Sequence, residues 1–506
     1  MEPAPAPPRQ FATWSQRILH HLLSDSDRDA IVSMNHERIE SWTRAELVAR
    51  TAGASDYLDV HGVQAGDCVP ALLTSQPHSV ALLIAGALTR RPLAPLAPRV
   101  THREVFASLK NISGPVLVTE PQYRDFASEL AKATGKRIAV VDEIGAGNVA
   151  LGADARRPED IACMLHTSGT TGLPKPVPVP EGPFERRAEI LGQLCGFNGD
   201  ARYVTAALFH HVAGLGNLMP ALANGASIIL IPPLSVDLWR NLASAAPTHT
   251  TLVPSVIEML LEEGVPAPPS LRVLAYGGSS IHPDTVRRMQ KVMPAVDLIN
   301  LFGQTEGSPV TVLNADDHRR AAAGQEGLLS SVGRPAPGVE LRLNEPDANG
   351  IGEIWARSDH SFVVDEQGWQ RTGDLGRVVD DFVYLVGRRG DKIIRGGENV
   401  FPLEVEQILE THPDVVSAGV VGKPDRRLGE TIVAFVVPVD VEEPPDSENL
   451  RVHCRAQLAG FKVPVEWIFV DRLPRNPNGK LLRGELSREL ARRTSCGAKG
   501  HRVIWQ

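Results

Sequence analysis

The chain has 506 residues, more than one hydrophobic core usually supports, so two or more domains are expected. Hydrophobic residues make up 42% and charged residues 22%, an ordinary globular balance, and the formal net charge of −8 argues against a nucleic-acid-binding role. Five cysteines (Cys68, Cys163, Cys195, Cys454 and Cys496) are odd in number and lack metal-ligand spacing; they read as reduced thiols in the cytoplasm, with no zinc or iron–sulfur site.

From the N-terminus, Pro3 to Pro8 forms a Pro/Ala tail with no basic region and apolar core of a signal peptide. Apolar runs predict strands at Cys68 to Thr74, Val116 to Thr119, Arg137 to Val141 and Ile161 to Leu165. The longest apolar run, Val80 to Leu88, is too short to span a bilayer and reads as a buried helix, so no membrane span is expected. Immediately after the fourth strand comes Thr167-Ser168-Gly169-Thr170-Thr171-Gly172-Leu173-Pro174-Lys175. Its glycines let backbone N–H groups approach phosphate oxygens, and its hydroxyls and lysine add donors and positive charge. It is not a Walker loop, because Pro174 separates Leu173 from Lys175 and no Ser or Thr follows the lysine.

Further strands are predicted at Ser227 to Ile231, Leu271 to Tyr276 and Leu298 to Phe302, with a helix from Asp284 to Met293 behind Pro283. Between them lie a histidine pair in Phe209-His210-His211-Val212-Ala213-Gly214-Leu215 and a glycine turn in Tyr276-Gly277-Gly278-Ser279-Ser280. The third of these strands runs into Phe302-Gly303-Gln304-Thr305-Glu306-Gly307. An aromatic at a strand end suits an adenine ring, a threonine hydroxyl suits a phosphate, and a glutamate suits the magnesium that phosphates bring. Arg371-Thr372-Gly373-Asp374-Leu375-Gly376 offers a carboxylate for a diol. After the charged turn Gly387-Arg388-Arg389-Gly390-Asp391, a smaller α+β run is predicted. Its elements are helix Leu403 to Thr411, strands Val415 to Val421 and Thr431 to Val437, helix Asn449 to Leu458 and strand Trp467 to Val470. Pro474-Arg475-Asn476-Pro477-Asn478-Gly479-Lys480-Leu481-Leu482-Arg483 closes the series.

Taken in this order, the segments resemble the motifs of the adenylate-forming superfamily of acyl- and aryl-CoA synthetases, peptide-synthetase adenylation domains and luciferases, and are most similar to acid–CoA ligases. The resemblance implies an α/β fold: a large N-terminal domain of layered α/β sheets over residues 1–386, a hinge at 387–391 and a small mobile α+β lid domain over 392–506. It implies ATP, magnesium and CoA as cofactors, with a carrier-protein phosphopantetheine as the alternative acceptor. The nucleotide and CoA contacts it implies are Thr167, Ser168, Gly169, Thr170, Thr171, Gly172, Lys175, Gly277, Gly278, Ser279, Phe302, Gly303, Asp374, Arg388, Gly396 and Gly397. Glu306 is the implied magnesium ligand, Thr305 a phosphate contact and Lys480 the adenylation lysine. His211 falls at a position that gates the acid, a steric role, and the pocket is implied to include His210, Val212, Gly214, Tyr276, Pro309 and Val310. Those residues offer no cation for a second carboxylate, which favours a monocarboxylic aryl or medium-sized acyl acid.

Two departures stand out. The hinge position usually filled by a charged residue or serine is Gly390, and Ala356 to Gly368 is shorter than the corresponding segment of the family, on the acceptor side. Three readings therefore stand: an acid–CoA ligase, a stand-alone adenylating enzyme serving a carrier protein or another nucleophile, and an inactive binding homologue. The sequence carries no signal for an oligomeric state.

Overall fold

The computed structural model describes residues 10–34, 38–97, 102–168, 174–205, 207–476, 479–496 and 502–503. Two large sheets share one layer of helices. In the nine-stranded sheet, five central pairings are parallel, running from Asp29–Met34 through Ser227–Leu230, Arg202–Thr205, His249–Leu252 and Val273–Gly277 to Asp297–Gln304. The six-stranded sheet sets Arg137–Val140, Val116–Thr119, Val69–Leu72, Leu93–Pro95 and Ile161–Ser168 side by side in parallel, then closes with antiparallel Pro174–Pro180.

Strand alternation explains how the layers join. Val116 and Val118 enter the same core cluster as Ala275 and Ile299 of the other sheet, whereas Leu117 faces a separate cluster and Leu274, Tyr276 and Leu298 face a third. Helices of the shared layer include Trp14–Leu23, Pro77–Leu88, Glu181–Cys195 and Leu215–Ala223, with Arg44–Val60 adding Leu47, Ala54 and Leu58. From Ser79 to Leu88 the second of these is buried on every side, as its unbroken apolar sequence requires. Among the described residues no helix is long and apolar enough to cross a membrane.

Most predicted elements appear with ends shifted by a few residues. The helix expected at Asp284 to Met293 runs Pro283–Val292, with the His282 ring capping the Asp284 N–H. One region differs in kind. Residues expected to continue the α/β alternation instead form a four-stranded antiparallel sheet, Glu340–Asn344, Gly352–Arg357, Gln370–Val379 and Phe382–Arg388. Its last turn is Asp380-Asp381, both at positive φ (49° and 69°), the left-handed pair that closes a tight hairpin. Hairpins leave no room for crossover helices, so the layering stops there.

Beyond Arg388 a smaller unit follows. A sheet centred on Gly429–Pro438 is flanked by Val415–Asp425 and Glu466–Val470, with helix Pro402–Leu409 on one face and helix Arg483–Cys496 on the other. The architecture is thus a large N-terminal α/β domain and a smaller C-terminal one.

Candidate active site

We label the elements that carry the site in chain order: β1 (Ile161–Ser168), β2 (Pro174–Pro180), α1 (Glu181–Cys195), α2 (Leu215–Ala223), β3 (Val273–Gly277), β4 (Asp297–Gln304), β5 (Gly307–Leu313), β6 (Gln370–Val379) and β7 (Phe382–Arg388). β1 and β2 pair antiparallel, with Thr167 opposite Lys175 and Ser168 opposite Pro174. The strand expected to end at Leu165 therefore carries the backbone of Thr167 and Ser168 as well. Gly169, Thr170, Thr171 and Gly172 lie outside the described residues, and Lys175 is exposed on β2.

The best-defined cluster joins both domains. β6 and β7 place Asp374 directly opposite Arg388, whose Nε lies 2.8 Å from Asp374 Oδ1. Gln304, at the end of β4, donates to Asp374 Oδ2 at 2.8 Å and to the Thr372 carbonyl. Burial pushes the Asp374 carboxyl above its ordinary value, against the pull of Arg388, the Gln304 bond and Lys480. Lys480 arrives from the small domain. Desolvation and the Arg388 charge lower its ammonium below the usual lysine value, against Asp374 and Asp391, although the side chain keeps solvent access.

A tight turn fixes this lysine. Asn476 Oδ1 accepts the Lys480 N–H at 2.9 Å, the Lys480 carbonyl accepts the Asn476 N–H at 2.9 Å, and Arg475 grips the Gly479 carbonyl at 2.8 Å. Gly479 has φ +76°, and a Cβ there would meet Ser255 Oγ of the large domain at 2.7 Å. The turn is pressed against the large domain so closely that only glycine fits.

Thr305 and Glu306 form the turn from β4 to β5, both half-buried. Phe362 donates its N–H to the Glu306 carbonyl at 3.1 Å, and a Cβ on Gly303 would lie 2.6 Å from Ser308 Oγ. Phe302, half-buried on β4, sits opposite Thr311. Gly277 ends β3 with its α-carbon against the Leu301 backbone, Gly278 follows at φ +84°, and Ser279 is half-buried near Gly479.

The expected acid pocket is only partly assembled. His210 is buried, and His211, Val212 and Gly214 form the approach to α2, where a Cβ on Gly214 would strike the Leu208 and Ala207 carbonyls. Burial and the neighbouring histidines lower His210 to about 3, and burial lowers His211 to about 4, so both rings are neutral at physiological pH. Pro309 and Val310 are buried on β5. Tyr276 requires a correction. Its ring points to the core face shared with Leu274, away from the Ala275 face on which Val212 packs, and its hydroxyl donates to His318 Nε2 at 2.8 Å. Strand parity thus makes it a core residue. Gly396 and Gly397, at φ +62° and +88°, form the exposed tip of a hairpin that bonds to Leu428 within the small domain; the structure brings Lys480, not these glycines, to the Asp374–Arg388 pair.

Three residues escaped the sequence reading. Gln304 stood inside a motif at a position without assigned chemistry. Arg187, buried on α1, donates to the Gly216 carbonyl at 2.7 Å, the Ser308 carbonyl at 2.6 Å and Asn217 Oδ1 at 2.8 Å. His360, in the short segment before Trp369, donates through Nε2 to the Pro309 carbonyl at 2.8 Å. Neither belongs to a local pattern that a linear reading isolates. Among the described residues no group of three or more His, Cys, Asp or Glu could hold a metal ion. A lone Glu306 carboxylate beside a threonine nevertheless fits magnesium that arrives with phosphates, since that ion keeps few protein ligands.

Known proteins are similar to this chain over most of its length. Residues 20–363 match the family model described as AMP-binding enzyme, and residues 404–480 match its C-terminal domain. The indoleacetate–CoA ligase of Aromatoleum aromaticum is 30% identical over 495 residues, covering 89% of this chain and 93% of that protein. The fatty acid–[acyl-carrier-protein] ligase ScoC of Streptomyces coeruleorubidus is 31% identical, over 85% of this chain and 88% of that one. Among solved structures, ATP-bound MatB from Rhodopseudomonas palustris superposes with a TM-score of 0.85 at 26% identity, covering 94% of this chain and 98% of that one.

Proposed function

Because this chain belongs to the AMP-binding enzyme family, as an AMP-forming acid–thiol ligase, we propose that it activates a monocarboxylic aryl or medium-sized acyl acid and delivers it to CoA. In the first step a carboxylate oxygen attacks the α-phosphorus of ATP, the bond to the bridging oxygen of pyrophosphate breaks, and an acyl-adenylate forms. In the second, the CoA sulfur attacks the acyl carbon, AMP leaves with the bond electrons, and the thiol proton passes to solvent. No protein nucleophile is needed, so catalysis rests on positioning and charge stabilisation.

The observation that carries this reading is the approach of Lys480, from the small domain, to the pair that buried Asp374 makes with exposed Arg388 on the large one. Asp374 takes the ribose hydroxyls, with Arg388 beside it, and Lys480 bridges the attacking carboxylate and the α-phosphate. The loop from Thr167 to Lys175 holds the departing pyrophosphate, Thr305 bonds a phosphate oxygen, and Phe302, Gly303 and the Gly277–Ser279 turn flank the adenine. Magnesium, when bound by Glu306 with the phosphates, supplies neutralising charge. His211 is a steric gate to the acid. The hinge lies at 387–391, and residues 392–506 act as the lid that brings Gly396 and Gly397 to the CoA side in the second step. Four described cysteines are buried and unpaired, which supports a cytoplasmic setting. The test is K480A, which should abolish acid-dependent pyrophosphate release while leaving the reaction of preformed acyl-adenylate with CoA; undiminished release would refute the assignment.

A second reading, transfer to a carrier protein, is favoured by the comparable similarity to ScoC, a carrier-protein ligase. Supplying the adenylate with CoA or with phosphopantetheinylated carrier protein separates the two. The inactive homologue has least support, since Lys175, Glu306, Asp374 and Lys480 are all present.

A further inference from the structure

Gln304 ties together two turns that lie far apart in the chain. It closes β4, where the pairing with β5 shifts register between Phe302 and Gln304. Such a bulge re-aims the side chain beside it. Gly303 permits the close packing there, since a Cβ on it would lie 2.6 Å from Ser308 Oγ. The Gln304 amide is turned toward β6, 68 and 70 residues on, where Nε2 donates to the Thr372 carbonyl and, at 2.8 Å, to Asp374 Oδ2.

Both neighbours are acceptors, so the amide must present its nitrogen, and its two N–H groups are taken up by these two bonds. The backbone of the turn they hold is fixed separately. Gly373, at φ +69°, gives its N–H to Glu353 Oε1 at 3.1 Å, and the Asp374 N–H goes to Thr372 Oγ1 at 3.1 Å. Neither bond orients the Asp374 carboxylate. Among the described residues, Arg388 and Gln304 do. Arg388 lies 2.8 Å from Oδ1 and 3.4 Å from Oδ2, but its side chain is 45% exposed. Gln304 is half-buried and anchored at Thr372 as well, so it fixes the carboxylate plane with Oδ2 turned to β4 and acceptor capacity left on Oδ1.

Hydrogen bonds weaken steeply when donor and acceptor are misaligned, so a carboxylate free to turn would recognise a ribose poorly. We propose that Gln304 is a positioning residue for nucleotide recognition: it sets the Asp374 carboxylate for a ribose hydroxyl, and the preference for a ribonucleotide over a deoxyribonucleotide passes through it. This rests on the adenylation reading above, which gives the ribose to Asp374, and adds a specificity-determining residue outside the groups that touch the nucleotide.

The test is acid-dependent pyrophosphate release with ATP, 2′-deoxy-ATP and 3′-deoxy-ATP in the native enzyme, Q304M and Q304E. The native enzyme should favour ATP over at least one deoxy analogue by about tenfold or more in kcat/KM, because a site built to pair a hydroxyl is left with an unpaired acceptor by the analogue. Q304M keeps an unbranched side chain but has no donor. It should raise KM for ATP by about fivefold or more, with kcat and the analogue's KM changed by less than about twofold, so that the preference collapses. Q304E sets a second carboxylate beside Asp374, near Arg388 and Lys480. It should lose more at about pH 8 and regain part of the preference at about pH 6, where a glutamic acid O–H can donate to Oδ2. If Q304M does not melt as the native enzyme does, the pH response of Q304E decides. A native enzyme indifferent to both hydroxyls, an equal loss with all three nucleotides in Q304M, a preference that survives Q304M, or a Q304E profile parallel to the native one would overturn the inference while leaving adenylation intact. The equal loss would mean that Gln304 only braces the Thr372 turn. Release with no acid at all would overturn the adenylation reading itself, and this inference with it.

Discussion

Substituting Arg483 by methionine should damage the small domain more than any surface contact would, and a second substitution should repair it. Arg483 follows Lys480 by three residues. It forms a bidentate pair with Glu406, donates to the Val420 carbonyl at 2.9 Å, and places Nε 3.0 Å from Asp391 Oδ2 in the proposed hinge. The Glu406 side chain is only 6% exposed, and its other contact is the Val420 N–H at 2.7 Å. Methionine fills the volume but leaves a buried carboxylate without a cation, a loss of about 3–5 kcal/mol when one partner of a buried pair is removed. For a domain of about 100 residues each kcal/mol moves Tm by roughly 4–8 °C, so a fall of at least about 12 °C is expected. Hydrogen exchange of peptides spanning 415–438 isolates this domain from the larger one. In R483M these amides should exchange faster, and pyrophosphate release should fall because the Lys480 turn loses its anchor. R483M/E406Q should recover most of the protection, since glutamine still accepts the Val420 N–H and buries no charge. Unchanged exchange in R483M, or no recovery in the double variant, would refute the argument that the buried charge sets the cost.

D374N should raise KM for ATP by about 10- to 100-fold, the worth of charge-assisted bonds to a carboxylate, measured by pyrophosphate release; an unchanged KM would remove Asp374 from the nucleotide site. G479A places a Cβ where φ is +76° and Ser255 Oγ lies 2.7 Å away. It should slow adenylation with little change in overall Tm, and G479A/S255A should recover part of the rate. His166 and His211, each lowered to about 4, have folded pKa values below the unfolded 6.5, so the unfolded chain binds protons first as pH falls. Stability is therefore complete above about pH 6.5 and declines as pH drops toward 4, by about 2 kcal/mol per histidine at pH 5. Urea midpoints at pH 7 and 5 measure this, and H166Q should flatten its share; equal midpoints would show that the rings are not neutral by burial.

What a linear reading recovers depends on whether the chemistry is contiguous. The Asp374 and Lys480 segments stand out in the sequence because each sets its charged side chain in a short turn of glycines and small polar residues, whose backbone needs are visible there. Arg187 does not, for it acts across 29 residues to Gly216 and 121 to Ser308, on carbonyls that any residue type supplies. Tyr276 failed for a different reason. Its place beside Gly277 suggested a ligand wall, but strand alternation assigns neighbours to opposite faces, and only the paired sheet reveals which face meets the shared helix layer. The antiparallel sheet from Glu340 to Arg388 was missed because short amphipathic strands next to polar turns resemble the ends of α/β units until their partners are known.

The pairing of Asp374 with Arg388 before nucleotide arrives does not compete with the proposed role of the carboxylate. An ionised carboxylate offers about four lone-pair sites. Arg388 addresses both oxygens, Oδ1 at 2.8 Å and Oδ2 at 3.4 Å, and Gln304 donates to Oδ2 at 2.8 Å, which leaves acceptor capacity, chiefly on Oδ1, for a ribose hydroxyl without displacing either. These partners oppose the burial that raises the Asp374 carboxyl above its ordinary value. The same Arg388 charge lowers the Lys480 ammonium. A phosphate arriving between the two cations would relieve their repulsion, so on this reading ATP itself stabilises the closed approach of the small domain, and opening becomes favourable once pyrophosphate has left.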